Sequence, residues 1–418
     1  MRYKFEGSNN RIASPSDHVW QSLLCKAYEA GDHPICLCND RNPPMYLSKF
    51  SDEYVLKRMP GTGALHAPHC DSYEPPIELS GLGELLGTAI IENTKLGTTT
   101  LKIGFPLRKM PGRAAPVANP DASVSSVKAE GKRLGFRSLL QYLWAEAGFN
   151  RWTPKMQGKR NWVVIRKYLN EALNVSMVKH LSLSESSFLP HRWLEETDPK
   201  FIENEMRRKE RWIKASQFDS NQKELLLLIG EVKNISESRF GYSMAIKQIP
   251  HIPFYMDADV HRKLLKHFER ELTLRNAFPE GHLMVIGTFG INDSLTAKFE
   301  ELALMYVDQN WLPVESMGDA ALTSLLVKQE RTFVKGMRYN LSIHKPLASA
   351  VLSDTGPKPT ALYLTPSEVN QSNFINEQTE LIANSDMDSW IWELNEPLPN
   401  LPQLQGNSYS NEGAGHEH

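Results

Sequence analysis

Five cysteine and histidine side chains near the N-terminus constrain the fold more than any other feature. Cys36 and Cys38 lie in the segment HPICLC, and His66, His69 and Cys70 lie in the segment HAPHC. Structural zinc sites take four such ligands, usually as two close pairs from two turns. Between the pairs, PMYLSKF and EYVLKRM predict a strand hairpin that would return the chain to its starting point. We therefore predict that the two pairs meet at one zinc ion.

The ligands that we predict are Cys36, Cys38, His66 and Cys70, with His69 as the alternative fourth ligand. His66 and Cys70 are four residues apart and share one face of a helical turn, whereas His69 would point away. The other interpretation is that the cysteines are small core residues and the histidines are solvated. No H-E-x-x-H or H-x-E motif supplies a general base, so we predict a structural zinc rather than a catalytic one.

The order of segments predicts an α+β multidomain protein, because 418 residues exceed one ordinary core. A small zinc-ribbon-like module would depend on its ion, which contributes on the order of 10 kcal/mol to folding. The predicted units are an N-terminal domain 1–106 containing the zinc-ribbon-like module 31–76, a linker 107–131, a basic helical module 132–215, an α/β domain 222–315, a domain 320–394 and a disordered tail 395–418.

The chain carries a formal charge of −2, yet residues 128–167 contain ten basic and only two acidic residues. Two predicted helices, 135–148 and 161–173, give this region a layout like a helix-turn-helix module, although their connection is long. Basic side chains bind phosphates, and exposed tryptophans stack on unpaired bases. We predict contact with nucleic acid, DNA before RNA, through Arg137, Arg151, Trp152, Lys155, Lys159, Arg160 and Arg166. The alternative is a solvated basic face with Trp152 and Trp162 buried.

The C-terminal half raises the possibility of a nuclease. Residues 320–394 predict the order helix, strand, strand, helix, strand, which resembles a restriction-endonuclease-like core, and Asp354 ends its first strand. Leu362 and Tyr363 stand where that core requires Glu and Lys, so we predict a degenerate domain. A Mg²⁺-dependent nuclease of the PD-(D/E)XK type remains the alternative, with Asp354, Glu231 and Lys233 as suspects.

The sequence contains no run of eighteen apolar residues and no apolar signal core at its N-terminus. These absences predict a cytoplasmic protein without a membrane span. The leading functional prediction is therefore a zinc-stabilised, nucleic-acid-associated protein without enzymatic activity. A protein–protein adaptor that docks through the zinc module is the third hypothesis.

Several segments together resemble a known family: CLC, YVLKRMPGTGALHAPHC, RSLLQYLWAEAGFNRW, LIGEVKN and PLASAVLSDTGPKPTALY. They are similar to an uncharacterised bacterial family, the domain-of-unknown-function family number eleven seventy-three, over nearly the whole chain. The family's N-terminal cysteines fall here at Cys36, Cys38 and Cys70. The resemblance implies a plasmid or integrative-element setting, with protein partners from the same mobile element, and no particular activity. The ligand order also resembles the zinc-ribbon-like start of competence-type nuclease proteins.

Overall fold

The structure is a computed structural model that describes residues 1–50, 53–109, 133–217, 223–239, 241–367 and 371–405. The predicted linker falls largely on residues 110–132, and most of the predicted tail falls on residues 406–418. Those stretches therefore lie outside the described residues. Residues 395–405 of the predicted tail are described, and there Arg331 donates to the carbonyl of Pro402 and the N–H of Gln405 donates to the carbonyl of Asp354. Within the described residues, no helix has the length and apolar character needed to cross a membrane.

The described chain alternates helices and strands from end to end. The helices are α1 (Trp20–Ala30), α2 (Phe136–Glu146), α3 (Trp162–Val175), α4 (Leu183–Ser186), α5 (Pro199–Ser216), α6 (Ala258–His267), α7 (Glu269–Ala277), α8 (Met317–Lys328) and α9 (Gln371–Ala383). The strands are β1 (Tyr3–Phe5), β2 (Arg11–Ala13), β3 (Ile35–Cys36), β4 (Met45–Phe50), β5 (Glu53–Arg58), β6 (Ile90–Asn93), β7 (Thr98–Leu101), β8 (Arg108–Lys109), β9 (Arg151–Trp152), β10 (Ser176–Val178), β11 (Leu181–Ser182), β12 (Ser187–Phe188), β13 (Lys223–Glu224), β14 (Leu226–Ser238), β15 (Gly241–Ile246), β16 (Ile249–Met256), β17 (His282–Ile291), β18 (Ala297–Val307), β19 (Phe333–Lys335), β20 (Ala348–Leu352), β21 (Thr360–Thr365) and β22 (Asp388–Glu393). The predicted mixture of helices and sheets is confirmed at this level.

Residues 1–74 form a small unit, the N-terminal unit, which has a hydrophobic core of its own. Strand β1 pairs with β2 and β3, and β4 pairs with β5 in the predicted hairpin. Helix α1 supplies Leu23, Leu24 and Ala27 to a core that also buries Cys36 and Cys70. Because so few side chains are buried here, a metal ion would contribute a large share of the stability of this unit.

Strands β14 to β18 close into a five-stranded barrel. The antiparallel pairs β14–β15 and β15–β16 lead to the parallel pair β16–β18, and β17 pairs with both β18 and β14. Helices α6 and α7 connect β16 to β17. Inward-facing residues such as Phe254, Phe289 and Phe299 fill the interior, as the alternation of side chains along a strand requires.

The barrel does not have a core separate from the preceding helices. Helix α2 contacts β17 and β18, and its residues Leu139, Leu143 and Trp144 belong to the same hydrophobic core as the barrel strands. The predicted basic helical module 132–215 and the predicted domain 222–315 therefore share one continuous core. Since α2 is buried in this way, it cannot act as the exposed first helix of a helix-turn-helix module.

A second sheet has the order β22-β21-β20-β19-β9 and contains the C-terminal strands. Strands β19, β20 and β21 are antiparallel neighbours, and β21 pairs with β22 in parallel. Residues 321–337 read as one helix in sequence, but α8 ends at Lys328 and β19 follows. Glu330 adopts a left-handed backbone (φ 54°) at this break, which ends the helix and turns the chain into the sheet.

Candidate metal centre and arginine groove

The four predicted ligands reach one point from two separate loops. Cys36 ends β3, where it lies opposite Tyr3 of β1, and Cys38 follows two residues later. The β4–β5 hairpin then brings the chain back to a 3-10 turn, Gly63–Leu65, which leads into His66. His66 itself is extended rather than helical, and the N–H of Cys70 donates to the carbonyl of Ala67. A tight turn, not the predicted helical turn, therefore aims His66 and Cys70 at the same point.

The ligand atoms of Cys36, Cys38, His66 and Cys70 all lie within 4.8 Å of one another. The Sγ atoms of Cys36 and Cys70 are 3.7 Å apart. The Nδ1 atom of His66 lies 3.6 Å from Sγ of Cys38 and 3.5 Å from Sγ of Cys70. A tetrahedral Zn²⁺ with ordinary bond lengths separates two sulfurs by about 3.8 Å and a sulfur from a nitrogen by about 3.6 Å. The four side chains can therefore hold a metal ion of this size.

Hydrogen bonds and charge already favour a thiolate in this cluster. The N–H groups of Ala67 and Ser72 donate to the sulfurs of Cys38 and Cys70 at 3.3 and 3.4 Å. Contact with Cys36, helped by His66 and by the N–H of Ser72, lowers the pKa of Cys70 to about 4. The same contact with Cys70, together with burial, raises the pKa of Cys36. One sulfur is thus ionised beside protonated neighbours, an arrangement that a divalent cation would convert to full thiolate ligation.

His66, rather than His69, is the fourth member of the cluster. Its side chain is 2% exposed, whereas His69 is exposed, so the interpretation of His66 as a solvated histidine is wrong. Its Nε2 atom is buried without a hydrogen-bond partner among the described residues. All four ligands come from the protein, which leaves no position open for a substrate and fits a structural site.

The predicted nucleic-acid residues do not form one surface. Trp152 is 1% exposed in the core beneath the second sheet, so the expectation that it stacks on bases is wrong. Trp162 is also buried, and its Nε1 donates to the carbonyl of Pro190 at 3.0 Å. Arg160 donates to the carbonyls of Phe149, Gly148, Arg151 and Asn310, and burial lowers its pKa to about 10. These three side chains hold the fold together instead of facing solvent.

The remaining predicted residues divide between internal ion pairs and solvent. Arg151 lies 3.3 Å from Glu74, and Arg137 lies 3.8 Å from Glu271. Lys155 and Lys159 are exposed. Arg166 lines a concave surface.

That surface is a groove of about 140 Å³, which we call the arginine groove. It lies between α3, the segment 188–194, helix α5 and strand β16. Five arginines line it, namely Arg166, Arg192, Arg207, Arg208 and Arg211, together with His191 and His251. Such a concentration of guanidinium groups favours anions, because each presents a planar fork of N–H donors.

The arginines of the groove are only partly neutralised. Arg208 pairs with Glu205 at 2.8 Å, and Arg207 pairs with Glu203 at 2.6 Å. Arg166 donates to the carbonyl of Leu189, and Arg211 donates to the carbonyl of Glu185. Neither makes a salt bridge to a carboxylate within the described ranges, and burial lowers the pKa of both guanidinium groups. Backbone carbonyls thus orient these two cations and leave their charge available to a ligand.

His191, which lines the groove, and Trp193, which is next to a lining residue in the chain, add further chemistry to this surface. Burial, together with the charge of Arg166, lowers the pKa of His191 to about 4, so this imidazole is neutral at pH 7. Its Nε2 lies 3.1 Å from Nη2 of Arg166 and helps to hold that guanidinium in place. Trp193 lies in the chain between Arg192 and Leu194, which both line the groove, and its own side chain is 51% exposed.

Sequence reasoning missed most of this groove. The segment ENEMRRKERWIK predicts a mixed-charge, solvated helix. Its glutamates do neutralise some of its basic residues. The signal that could have found the groove is the pair Arg192 and Trp193 in the segment LPHRWLEE, an arginine and an aromatic side by side without apolar periodicity. This pair indicates a groove only once the fold is known, because the groove forms where α5 packs against the segment 188–194.

The nuclease suspects lie on two different sheets. Glu231 on β14 is buried, with Lys247 at 2.9 Å and His282 at 2.8 Å from its carboxylate. Asp354 follows β20 and accepts from Arg331 at 2.7 Å and from the N–H of Thr332 at 2.6 Å. Lys233 is exposed. Each of the two carboxylates is bound by protein partners, so a structural role explains why an acidic residue stands at these positions.

Comparison with known proteins yields one match. A family model described as "Protein of unknown function (DUF1173)" matches residues 5–395. No curated protein and no solved structure matches significantly.

Proposed function

The chain belongs to the family described as protein of unknown function DUF1173, and from that premise we propose that it is a zinc-stabilised protein that binds nucleic acid without cutting it. The metal is assigned as Zn²⁺ because three sulfurs and one imidazole nitrogen at tetrahedral spacing are the ligand set that zinc prefers. Its role is to hold the N-terminal unit together. We propose that the nucleic acid is DNA. We also propose that the protein acts within a bacterial mobile element, together with partner proteins from that element.

The arginine groove is the observation that carries nucleic-acid binding. Arg166, Arg192 and Arg211 form no salt bridge to a carboxylate in the part of the chain that the structure describes. Cations held in a concave surface neutralise phosphates and release counterions from the nucleic acid. The groove therefore replaces the predicted face around Lys155 and Lys159 as the main phosphate-binding surface, while those two lysines can add to it.

The test is the salt dependence of binding to a fluorescein-labelled duplex with a single-stranded overhang. A variant carrying Arg166→Gln, Arg192→Gln and Arg211→Gln should bind more weakly at every salt concentration. Its slope of log affinity against log salt should fall by about 2–3, since each lost phosphate contact removes about 0.7–0.9. The matched control carries Lys26→Gln, Lys95→Gln and Lys179→Gln, three exposed cations away from the groove.

Two results would overturn the proposal. One is equal loss of affinity in the groove variant and the control variant, which would show that only net charge matters. The other is cutting of the probe by the wild-type protein in Mg²⁺ that disappears in Asp354→Ala, which would restore the nuclease hypothesis.

A further inference from the structure

The connectivity of the barrel points to a specific kind of nucleic acid. Numbered along the chain, strands β14 to β18 close in the order 1-2-3-5-4, and strand 4 pairs back to strand 1. The pairs are antiparallel except for strands 3 and 5, and a helical segment, α6 and α7, joins strands 3 and 4. This is the arrangement of the five-stranded OB-type Greek-key barrel. Barrels of this type bind oligonucleotides or oligosaccharides across the face of strands 2 and 3.

A shared topology does not fix a function, so the argument rests on what this barrel carries. The arginine groove lies beside strand 3, because Ile249 and His251 at the start of β16, and Gln248 just before it, line the groove together with α5. Cations therefore lie directly beside the strand that forms the ligand-binding face in such barrels. A neutral oligosaccharide has no anionic group to pair with the arginines that lack a carboxylate partner, whereas a phosphodiester backbone has one at every nucleotide.

The outward face of strand 3 continues from the groove. Phe254 and Met256 are buried inside the barrel, and the alternating residues His251, Pro253 and Tyr255 are exposed or half-buried. From His251 to Tyr255 the strand advances by four residues, which is about 13 Å. This length accommodates about two nucleotides of an extended strand, which could run from the groove across Pro253 towards Tyr255 with its bases free to stack.

The shape of the groove and the position of Trp193 favour a single strand over a duplex. A concave groove of about 140 Å³ can admit one phosphodiester backbone, but it cannot enclose a double helix. Trp193 is an exposed aromatic residue between two residues that line the groove, Arg192 and Leu194. Base faces are accessible to such a ring only when the bases are unpaired. The charge and the aromatic surface thus point to the same ligand.

We propose that the barrel and the arginine groove bind single-stranded nucleic acid, with its phosphates on Arg166, Arg192 and Arg211 and a base stacked on Trp193. This inference rests on the proposed nucleic-acid binding and adds the strandedness and the stacking residue. Duplex nucleic acid would meet only the charged part of the surface, and its affinity would not depend on Trp193.

The experiment compares a 20-nucleotide oligothymidine with a 20-base-pair duplex, using the full-length, metal-loaded protein and fluorescence anisotropy. Trp193→Ala should weaken oligothymidine binding by about 5-fold to 150-fold, the range for losing one stacked base. Binding of the duplex should not change. Trp193→Phe should keep most of the affinity for oligothymidine, because a phenyl ring still stacks. Leu96→Ala, which shortens another exposed apolar side chain in the β6–β7 turn, should change the affinity for neither probe.

The outcomes separate this inference from the proposed function. If Trp193→Ala leaves oligothymidine binding intact, or if the duplex binds more tightly than the single strand, the single-strand inference is wrong and nucleic-acid binding stands. If neither probe binds, both are wrong. Since Trp193 is exposed, its replacement should not unfold the protein, and unchanged circular dichroism of Trp193→Ala would confirm this.

Discussion

Among individual residues, Cys70 and Cys25 offer a direct test of the metal centre. Cys70 lies 3.7 Å from Cys36 and 3.5 Å from His66, whereas the thiol of Cys25 lies on the surface of α1 near Glu29. Cys70→Ser should therefore abolish stoichiometric zinc, because a hydroxyl is a poor substitute for a thiolate. Cys25→Ser should retain about one zinc per chain. The measurement is metal content by mass spectrometry of tag-free protein purified without chelators.

Equal zinc in both cysteine variants would contradict the assignment. Loss of zinc in both would point to unfolding instead of ligation. His66→Ala and His69→Ala distinguish the fourth ligand in the same assay, and only the first should lose metal, since His66 is buried in the cluster and His69 is exposed.

Glu231 is a second residue whose role can be decided, because its carboxylate is buried among partners. Burial opposes its ionisation, but His282 and Lys247 outweigh this effect and lower its pKa. Glu231→Gln should thus cost about 1.5–3 kcal/mol in the free energy of unfolding at pH 7, the range for losing hydrogen bonds to a charged group. The measurement is urea unfolding, with Lys233→Gln, an exposed neighbour on the same strand, as the unaffected control. Equal stability of the two variants would contradict a structural role for Glu231.

The Cys/His cluster was accessible to sequence reasoning, and the residues of the arginine groove mostly were not. Four soft ligands in two pairs can satisfy one ion in only a few ways, so their types and spacing predict the cluster. Arg160 and Trp152 have the same residue types as a nucleic-acid surface, but their environment depends on strands and loops far along the chain, such as Asn310 and Phe333. Residue type alone cannot distinguish an arginine that caps backbone carbonyls from one that meets phosphate.

At the scale of elements, an ion-paired loop fastens the N-terminal unit to the rest of the molecule. Glu74 lies 2.6 Å from Arg58 of β5 and 3.3 Å from Arg151 of β9, and Arg151 also donates to the carbonyls of Asp71 and Tyr73. Burial raises the cost of charge on Glu74, but the two arginines outweigh it and lower its pKa. The loop that follows Cys70 is thereby attached to the second sheet.

Glu74→Gln should reduce the free energy of unfolding by about 1–3 kcal/mol at pH 7, because it leaves two half-buried guanidinium groups without their carboxylate. A carboxyl whose pKa is lowered in the folded state contributes stability above its unfolded pKa of about 4.3 and loses it as pH falls through the folded value. The difference between wild type and Glu74→Gln should therefore shrink below about pH 4. Unfolding curves at pH 7 and pH 3.5 measure this. Glu78 is exposed and has no ion pair to another described residue, so Glu78→Gln should show no difference at either pH.

Helix boundaries show where local sequence patterns reach their limit. The apolar spacing of residues 257–274 predicts one helix, but the structure has α6 and α7 with a break at Phe268 (φ −124°). The break allows Phe268 to be buried with Leu264 and Leu274 in the core shared with the barrel. Likewise, Lys335 reads as part of a solvated helical face, yet it is buried on β19 against Asp319. In both places a tertiary contact outweighs the local periodicity.

At the scale of the whole molecule, the metal centre and the arginine groove belong to different cores. Cys36 and Cys70 are part of the small N-terminal core. The groove is lined by residues of α3, the segment 188–194, α5 and the start of β16, and these elements pack on the core of the barrel. The described residues of the N-terminal unit do not line the groove. Stability of the first core and ligand binding at the second should accordingly respond to different treatments.

Removal of the metal is the test of this separation. Chelation should strip a contribution on the order of 10 kcal/mol from the N-terminal unit and leave its few buried side chains unable to keep it folded. Hydrogen exchange should then accelerate across residues 1–74, while the strands β14 to β18 stay protected and oligothymidine still binds the groove. Readdition of Zn²⁺, but not of Mg²⁺, should restore protection, because Mg²⁺ prefers oxygen ligands to sulfur. Loss of protection in the barrel on chelation would show that the metal stabilises the whole molecule, and unchanged exchange in residues 1–74 would show that the ion is not a structural requirement.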